Sequence, residues 1–417
     1  MGNRLVGIDF GHDVVRGVEV EEPGTRKSRV LRTGSVPLPP EAVVSGEVRD
    51  PQAVASALRQ LWSKSGFKAK RVVLGMGNSR VLARDLTVGV RPLARIRESL
   101  RFQVADMLPM PLENAVLDYY PVRYGADDHG VPVYHGLLIA TLKDVVLTNE
   151  KAARLAGLEV VGVDVIPFAL VRALADRASN DTWAFVDVGA TTTSISIATA
   201  GVPEFVRIVP SGGEDVTRSL MELGQLPREQ AEQIKRSVGL ISEGVDPKYR
   251  PVVELMVTRS SELMTSIRDT LAYFSDTRQR RVAHVLLTGG GARLGGFPQM
   301  VTAWTRIPAT LDASSAESEF TVAAALTTGV SSAKERKAGQ SMPAPAAPAA
   351  DPAPADAPPP TGSPGGAPLS KAQAKAQAKA RAKAQAAFAA AERGRAKANG
   401  AESKKASIWT RPIGGKR

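Results

Sequence analysis

The sequence contains no cysteine and few histidines or aromatic residues. Of its 417 residues none is Cys, four are His, and 5% are Phe, Trp or Tyr. The lack of Cys excludes disulfides, thiolate nucleophiles and cysteine-ligated metals, and the four His are scattered without the spacing of a metal site. No apolar run approaches the length of a bilayer span. The N-terminus also lacks the charged and apolar regions of a secretory leader, so we expect neither a membrane-spanning helix nor a leader.

The excess positive charge lies at one end of the chain. The formal net charge is +12, to which residues 1–333 contribute +1 and residues 334–417 contribute +11. Residues 341–368 hold ten Pro, and residues 371–398 are rich in Ala and Lys, a composition typical of disorder. The basic charge therefore describes a tail, and we expect no nucleic-acid partner. The tail is either a solubilising extension or a segment that is attracted to anionic lipid headgroups.

Two segments about 180 residues apart share one pattern, an apolar strand that ends in Asp-x-Gly and is followed by a turn and a second strand. Residues 5–20 contain Asp9 and Gly11, and residues 183–197 contain Asp187 and Gly189. Because Gly permits a positive φ or a close backbone approach, backbone N–H groups in such a turn can converge on an anion. Two facing turns would hold a polyphosphate, with Asp9 and Asp187 binding Mg²⁺ through its waters.

A third feature lies at residues 285–294, where an apolar strand runs into three glycines. We predict a helix directly after them. Bare backbone at Gly289, Gly290 and Gly291 allows a flat ligand to lie close against the chain. The order and spacing of the three segments predict a nucleotide site in an α/β protein.

These segments resemble the phosphate-1, phosphate-2 and adenosine motifs of the actin-like ATPase superfamily, which includes actin, hexokinases, heat-shock chaperones and FtsA. Within it the chain resembles the PilM family of type IV pilus assembly proteins, on residues 105–119, 156–164 and 320–326. The resemblance covers residues 5–329. It implies an α/β actin-like ATPase fold with two ribonuclease H-like domains, an inserted small α+β subdomain and a disordered C-terminal tail.

The resemblance also implies domain boundaries. We predict domain 1 at residues 1–180, with the inserted subdomain at about 82–160. Domain 2 would cover residues 181–333 and end in a closing helix, and residues 334–417 would form the tail.

The implied cofactors are ATP and Mg²⁺. The two turns are expected to contact phosphate through Gly11, His12, Asp13, Gly189, Ala190, Thr191 and Thr192. By the resemblance, Gly212, Gly213 and Glu214 lie near the ribose, Glu232 and Lys235 touch ribose and adenine, and the triple-glycine segment adds Gly289, Gly290, Gly291 and Arg293.

Two charged residues in the first turn are unusual. Arg16 stands where relatives usually have Lys, and its guanidinium would meet phosphate with a different reach and geometry. Asp13 places an additional carboxylate beside the phosphates. This is unfavourable unless Mg²⁺ or Arg16 offsets its charge.

The sequence predicts at most slow ATP hydrolysis. In relatives with brisk hydrolysis a Glu or Gln positions the attacking water, whereas here Ile166 stands where the chaperones have Glu before Pro. An Ile can neither orient water nor accept a proton. Asp164 is nearby, but we expect it to bond locally. Tight ATP binding with slow turnover fits this pattern.

The resemblance implies a cytoplasmic scaffold of type IV pilus assembly that is held at the inner face of the cell membrane by its partners. Its implied partner is the cytoplasmic N-terminal peptide of PilN, bound in a groove between domain 1 and the inserted subdomain. The inner-membrane platform and its assembly ATPase are further implied partners.

Two alternatives remain, a polymerising cell-division protein like FtsA and a small-molecule kinase. A filament former would pellet with ATP, and a kinase would consume ATP faster when its substrate is added. The tail has no apolar helix face like the membrane helix of FtsA, and no second carboxylate motif marks a sugar site.

Overall fold

The computed structural model describes residues 3–25, 27–176, 179–241, 247–312 and 318–329. The chain divides into two units, Met1–Pro348 and Ala349–Arg417, and the description below concerns the first. The predicted tail at 334–417, including its expected disorder and its lipid contacts, lies outside the described residues. None of the described helices is both long enough and apolar enough to cross a membrane.

The described residues form strands and α-helices that are numbered here in chain order. The strands are β1 Arg4–Phe10, β2 Val14–Glu21, β3 Arg29–Pro37, β4 Val43–Val44, β5 Glu47–Val48, β6 Arg71–Met76, β7 Leu82–Gly89, β8 Ala115–Ala126, β9 Pro132–Leu142, β10 Glu159–Val165, β11 Thr182–Val188, β12 Thr193–Thr199, β13 Val202–Val209, β14 His284–Thr288 and β15 Ala309–Leu311. The helices are α1 Pro51–Ser65, α2 Leu93–Gln103, α3 Lys143–Leu155, α4 Ile166–Leu174, α5 Gly213–Gly224, α6 Arg228–Val238, α7 Arg250–Arg278, α8 Phe297–Thr305 and α9 Thr321–Leu326.

Two five-stranded sheets repeat the same topology. The first has the order β10-β6-β1-β2-β3 and the second has the order β15-β14-β11-β12-β13. In each, three consecutive strands pair antiparallel, and the first of them pairs parallel with a later strand. The sheets define a first and a second half of the molecule. The repeat that the two Asp-x-Gly segments predicted is therefore present in the whole sheet topology.

Helix α1 shows how local sequence builds the first half. Asp50 caps it by accepting hydrogen bonds from the Gln52 and Ala53 N–H groups at 2.9 and 3.0 Å, and Gly66 ends it in the left-handed conformation at φ 66°. The apolar spacing of Val54, Leu58, Leu61 and Trp62 predicts this helix, and all four side chains are buried in the core of the first sheet.

Helix α4 packs against both halves, and α9 packs with it against the first sheet. Ile166 and Leu170 of α4 share a core with Leu326 of α9 and with Leu5 and Val73 of the first sheet. On its other side α4 contributes Val171 to a core with Phe185 of the second sheet. The two halves are thus joined by apolar packing through α4.

The inserted part has a small sheet of its own, with the order β7-β9-β8, and helix α2 packs on one face of it. The sheet ends at Leu142. After it, α3 packs against α1, and β10 pairs with β6 of the first sheet. The predicted subdomain of about 82–160 therefore includes residues that return to the first half.

Two predicted helices differ from the structure. The apolar spacing of Ile96, Leu100 and Val104 predicts a single helix over residues 93–108. However, α2 ends at Gln103 because Val104 leaves the helical region at φ −119°, and a 3₁₀ turn follows at Ala105–Met107. A helix was also predicted directly after the triple glycine. Instead a 3₁₀ turn at Gly291–Arg293 intervenes, and α8 begins only at Phe297.

Candidate nucleotide site

A cavity of about 680 Å³ lies between the two halves. This volume is within the usual range for small-molecule sites. Its lining includes every predicted ATP-site residue except Gly212, namely Asp9, Gly11, His12, Asp13, Arg16, Asp187, Gly189, Ala190, Thr191, Thr192, Gly213, Glu214, Glu232, Lys235, Gly289, Gly290, Gly291 and Arg293.

The two Asp-x-Gly turns have the same backbone geometry. The Gly11 N–H donates to the Val14 carbonyl at 3.0 Å, and the Gly189 N–H donates to the Thr192 carbonyl at 2.9 Å. A Cβ on Gly11 would lie 2.8 Å from the Val14 oxygen, and a Cβ on Gly189 would lie 2.9 Å from the Thr192 oxygen. Neither glycine has a positive φ, so both are required by the close approach of backbone.

Asp9 and Asp187 hold equivalent positions, but their neighbours across the strand pair differ. Asp9 pairs with Arg16, and 3.9 Å separate Arg16 Nη1 from Asp9 Oδ2. Asp187 pairs with Ser194 and accepts a hydrogen bond from Thr288 Oγ1 at 2.8 Å. Burial raises the pKa of Asp9, and Arg16 opposes that rise. Burial raises the pKa of Asp187 to about 6, with Thr288 opposing the shift and the charge of Asp9 adding to it.

These carboxyl groups fit a hydrated divalent cation. Each faces the cavity, and their mutual repulsion would fall if a cation lay between them. No group of three or more His, Asp or Glu side chains among the described residues is arranged to enclose a metal. Mg²⁺ usually keeps several waters and is bound through one or two carboxylates with substrate phosphates, which matches this arrangement.

The start of helix α5 is tied to the second turn. The Gly213 N–H donates to the Gly189 carbonyl at 3.0 Å, and the Glu214 N–H donates to the Ala190 carbonyl at 2.7 Å. A Cβ on Gly212 would lie 2.5 Å from the Gly189 oxygen. The structure therefore places Gly212 behind the turn, where it allows α5 to approach the turn, and outside the cavity lining.

Glu232 and Lys235 form a hydrogen-bonded cluster that lines the cavity beside the start of α5. Lys235 Nζ donates to Glu232 Oε1 at 2.6 Å and to Thr217 Oγ1 at 2.7 Å, and the Thr217 hydroxyl itself donates to Glu232 Oε1 at 2.5 Å. Burial opposes ionisation of Glu232, but the bonds from Lys235 and Thr217 outweigh it and lower its pKa. This ordered polar cluster is suited to binding hydroxyl or amino groups of a ligand.

The triple glycine brings bare backbone to the cavity. Gly289 has φ 85°, and a Cβ there would lie 2.4 Å from the Val188 carbonyl oxygen, so it packs tightly against the end of β11. A Cβ on Gly290 would meet no atom within 4 Å. Gly290 therefore leaves an open backbone surface, as a flat ligand would need.

Ile166 and Asp164, the two residues that the sequence analysis discussed in relation to hydrolysis, make local contacts. Ile166 lines the cavity and packs on Gly77, because a Cβ there would lie 2.9 Å from Ile166 Cδ1. The Asp164 carboxylate is bound by the Arg172 guanidinium within the first half, and Asp164 does not line the cavity. The expected local bonding of Asp164 is therefore observed.

The sequence interpretation missed several residues of this cavity. Ser194 lines it, is 5% exposed, and has a hydroxyl oxygen that is buried without a hydrogen-bond partner in the described structure. An alignment of the two repeats would have identified it, because Ser194 follows Asp187 by the same spacing as Arg16 follows Asp9. Arg236 and Glu319 also line the cavity, but no local pattern marks them.

The family described as "Type IV pilus assembly protein PilM" matches residues 7–326 of this chain. The chain belongs to the PilM family. The family that the sequence motifs indicated is thus confirmed.

Solved structures support the fold. A PilM–PilN type IV pilus biogenesis complex is similar with a TM-score of 0.67 and 24% identity, covering 78% of this chain and 97% of that chain. The ethanolamine utilization protein EutJ from Carboxydothermus hydrogenoformans is similar with a TM-score of 0.51 and 16% identity, covering 79% of this chain and 90% of that chain. With the two repeated sheets, these likenesses confirm the predicted actin-like α/β fold.

Cell division protein FtsA is a more distant relative. The Bacillus subtilis protein is 22% identical over 257 residues, covering 56% of this chain and 58% of the relative. The Pseudomonas aeruginosa protein is 22% identical over 359 residues, covering 74% of this chain and 83% of the relative. The chain thus spans less than two thirds of the Bacillus FtsA sequence.

Proposed function

We propose that this PilM-family chain binds Mg²⁺ and ATP in the cavity between its two halves and serves as a scaffold of type IV pilus assembly. The observation that carries the nucleotide part is the convergence of two matching Asp-x-Gly turns and the triple glycine on one cavity. Asp9 and Asp187 would hold Mg²⁺ through water. The turns would bind the phosphates, and the cluster of Glu232 and Lys235 would bind the nucleoside.

Isothermal titration with ATP and Mg²⁺ tests this site. We expect binding by the natural chain, a loss of at least about tenfold in affinity for Asp9→Ala and Asp187→Ala, and no change for Asp144→Ala. Asp144 is an exposed residue of α3, outside the cavity. Undiminished affinity in both site variants would overturn the assignment.

The proposed site binds ATP but turns it over slowly. Ile166 offers no acceptor for a proton, and Arg172 holds the Asp164 carboxylate away from the cavity. We expect phosphate release at a rate well below one per minute, unchanged by Asp164→Asn. Rapid turnover that Asp164→Asn abolishes would contradict this assignment.

The proposed partner is the cytoplasmic N-terminal peptide of PilN, bound between the first half and the inserted sheet. Two exposed apolar side chains flank this boundary. Leu147 on α3 is 48% exposed and Val116 on β8 is 41% exposed. Val116 pairs with Thr141, two residues before α3 begins at Lys143. Burial of such side chains would supply the affinity for an apolar peptide.

Further partners follow from the same proposal. The inner-membrane platform would hold the chain at the cytoplasmic face of the membrane through PilN, with the assembly ATPase nearby. The basic tail would add attraction to anionic lipids. Truncation after Ala333 tests the tail: binding to anionic vesicles should fall while thermal stability and ATP affinity stay unchanged. Equal vesicle binding by both forms would remove the lipid role.

A second candidate function, polymerisation like that of a division protein, is favoured only by the FtsA relatives, whose similarity covers up to 74% of this chain. Sedimentation with and without Mg²⁺ and ATP separates the candidates. A scaffold that binds one peptide stays in the supernatant, and a filament former pellets with nucleotide.

A further inference from the structure

One contact joins the two halves at the rim of the cavity. Arg228 is the first residue of α6 in the second half, and its Nη2 atom donates to Asp13 Oδ2 at 2.8 Å. Asp13 belongs to the turn between β1 and β2 in the first half. The same guanidinium binds Glu214 in a bidentate manner, with Nη1 to Oε1 at 2.5 Å and Nη2 to Oε2 at 2.7 Å.

This polar contact joins the halves in addition to the apolar packing of α4. Helix α4 contributes to one core with the first sheet and to another with the second sheet. Asp13 and Glu214 line the cavity, whereas Arg228 does not. Arg228 therefore joins a lining residue of the first half to a lining residue of the second half.

The position of Arg228 is poor for helix stability, so another reason must account for it. A cation in the first turn of a helix faces the positive end of the helix dipole. Here two carboxylates compensate, and the Glu214 bonds together with Asp13 raise the pKa of Arg228 further above its ordinary range. The charge of Asp13, unfavourable beside phosphates, is offset by this guanidinium from the other half of the molecule.

We propose that Arg228 is a latch that holds the two halves together beside the cavity and so sets how fast a nucleotide enters and leaves. The inference rests on the proposed nucleotide function. The hydrogen bonds to Glu214 anchor the guanidinium within the second half, because the Glu214 side chain is almost fully buried. The ion pair with Asp13, whose side chain is largely exposed, is the contact that breaks when the latch opens. Breaking it costs about as much as a surface ion pair, so the latch can open readily.

Stopped-flow fluorescence with a labelled ATP analogue and Mg²⁺ tests the latch. In Asp13→Asn and Arg228→Gln we expect association and release both to accelerate, by about two- to fivefold, the range that an exposed ion pair provides. The equilibrium constant should change less than either rate. Arg154→Gln is the matched control, because it removes an Arg–Glu pair on α3 that does not line the cavity.

The pattern of rates separates a latch from a structural or ligand-contact role. Faster release with unchanged association would show that Arg228 acts through ligand affinity, and it would overturn the latch. Asp13→Asn leaves the Arg228–Glu214 pair intact, so this variant still tests the latch if Arg228→Gln folds poorly. The double variant should show no larger effect than either single variant, because both remove the same contact.

Amide hydrogen exchange of the nucleotide-free protein gives a readout that does not depend on ATP. Peptides covering residues 11–16 and 213–228 should exchange faster in Asp13→Asn and Arg228→Gln than in the natural chain and in Arg154→Gln. If the natural chain binds no nucleotide, the proposed function fails, and the exchange data then decide the latch alone. Unchanged exchange in both variants would overturn the latch.

Discussion

Asp187 and Ser194 lie directly opposite each other in the β11–β12 pair, at the position that Asp9 and Arg16 hold in the β1–β2 pair. The two turns therefore have the same backbone and different charge. Across from Asp9 lies a guanidinium, whereas across from Asp187 lies a neutral hydroxyl. Burial can accordingly raise the pKa of Asp187 to about 6, and a cation bound at the site would favour the ionised form of this carboxyl group.

The raised pKa of Asp187 predicts a pH-dependent effect on stability. The pKa of Asp187 is 3.8 in the unfolded chain and about 6 in the folded protein. The contribution of Asp187 to folding stability is therefore complete below pH 3.8 and is lost as the pH rises through 6. Asp187→Asn mimics the neutral form. We expect it to stabilise the nucleotide-free protein by about 1–3 kcal/mol at pH 8 and by much less at pH 4.5, as measured by urea unfolding.

Asp144→Asn is the control for this experiment, because Asp144 is exposed. A gain in stability from Asp187→Asn that is equal at both pH values would show that the ionisation of Asp187 is not its cause.

Glu19 is a buried carboxylate whose loss should destabilise the first half. It is 0% exposed and accepts backbone N–H bonds from Lys68 and Ala69 at 2.9 and 2.7 Å and a bond from Arg32 at 2.9 Å. Burial would raise its pKa, but these bonds outweigh it and lower the pKa. The contribution of ionised Glu19 to folding stability is therefore present above pH 4.5 and is lost as the pH falls through the pKa of Glu19 in the folded protein.

Glu19→Gln should lower the free energy of unfolding by about 1–3 kcal/mol at pH 7. The difference between this variant and the natural chain should shrink as the pH falls below 4. Urea unfolding measures it. Glu21→Gln, which alters the pair with the exposed Arg29 on the same sheet, should cost at most about 1 kcal/mol. Equal costs for the two variants would contradict a special role for buried Glu19.

Gly212→Ala should disturb the nucleotide site from outside the cavity. The added Cβ would lie 2.5 Å from the Gly189 oxygen and 2.6 Å from the Ala190 oxygen, so either α5 or the second turn must move. We expect ATP affinity in titration calorimetry to fall at least about tenfold, which corresponds to the 1–3 kcal/mol typical of overpacking. Gly89→Ala in β7 is the control, since its Cβ would meet nothing within 4 Å. Unchanged ATP affinity in Gly212→Ala would show that α5 or the second turn can move without disturbing the nucleotide site.

Leu147→Asp should weaken binding of the PilN peptide. If the peptide covers this side chain, replacing it removes about 1.5–3 kcal/mol of apolar burial, or at least about tenfold in affinity by fluorescence anisotropy. Leu223→Asp on α5 is the matched control, because Leu223 is 62% exposed on the second half. If Leu223→Asp weakens binding and Leu147→Asp does not, the peptide binds the second half.

Much of this architecture could be predicted from short stretches of sequence. The spacing of Asp9 and Gly11, repeated in Asp187 and Gly189, identified both turns, since a tight hairpin with close backbone contact requires glycine at a defined position. The apolar spacing of Val54, Leu58, Leu61 and Trp62 predicts α1 at about residues 50–65, close to its observed bounds. Features of this kind depend on neighbouring residues alone, and a sequence read by itself contains them.

The sequence by itself determined the repeat, the glycine positions and the charge of the tail, because each depends on local chemistry. Only the tertiary structure decided that Gly212 lies behind the second turn, that α3 and β10 return to the first sheet, and that Asp13 meets Arg228 across 215 residues of chain. The physical reason is that such contacts arise when distant elements pack against one another. The position of a guanidinium over a cavity depends on the packing of whole sheets and helices, and no short segment of the chain specifies it.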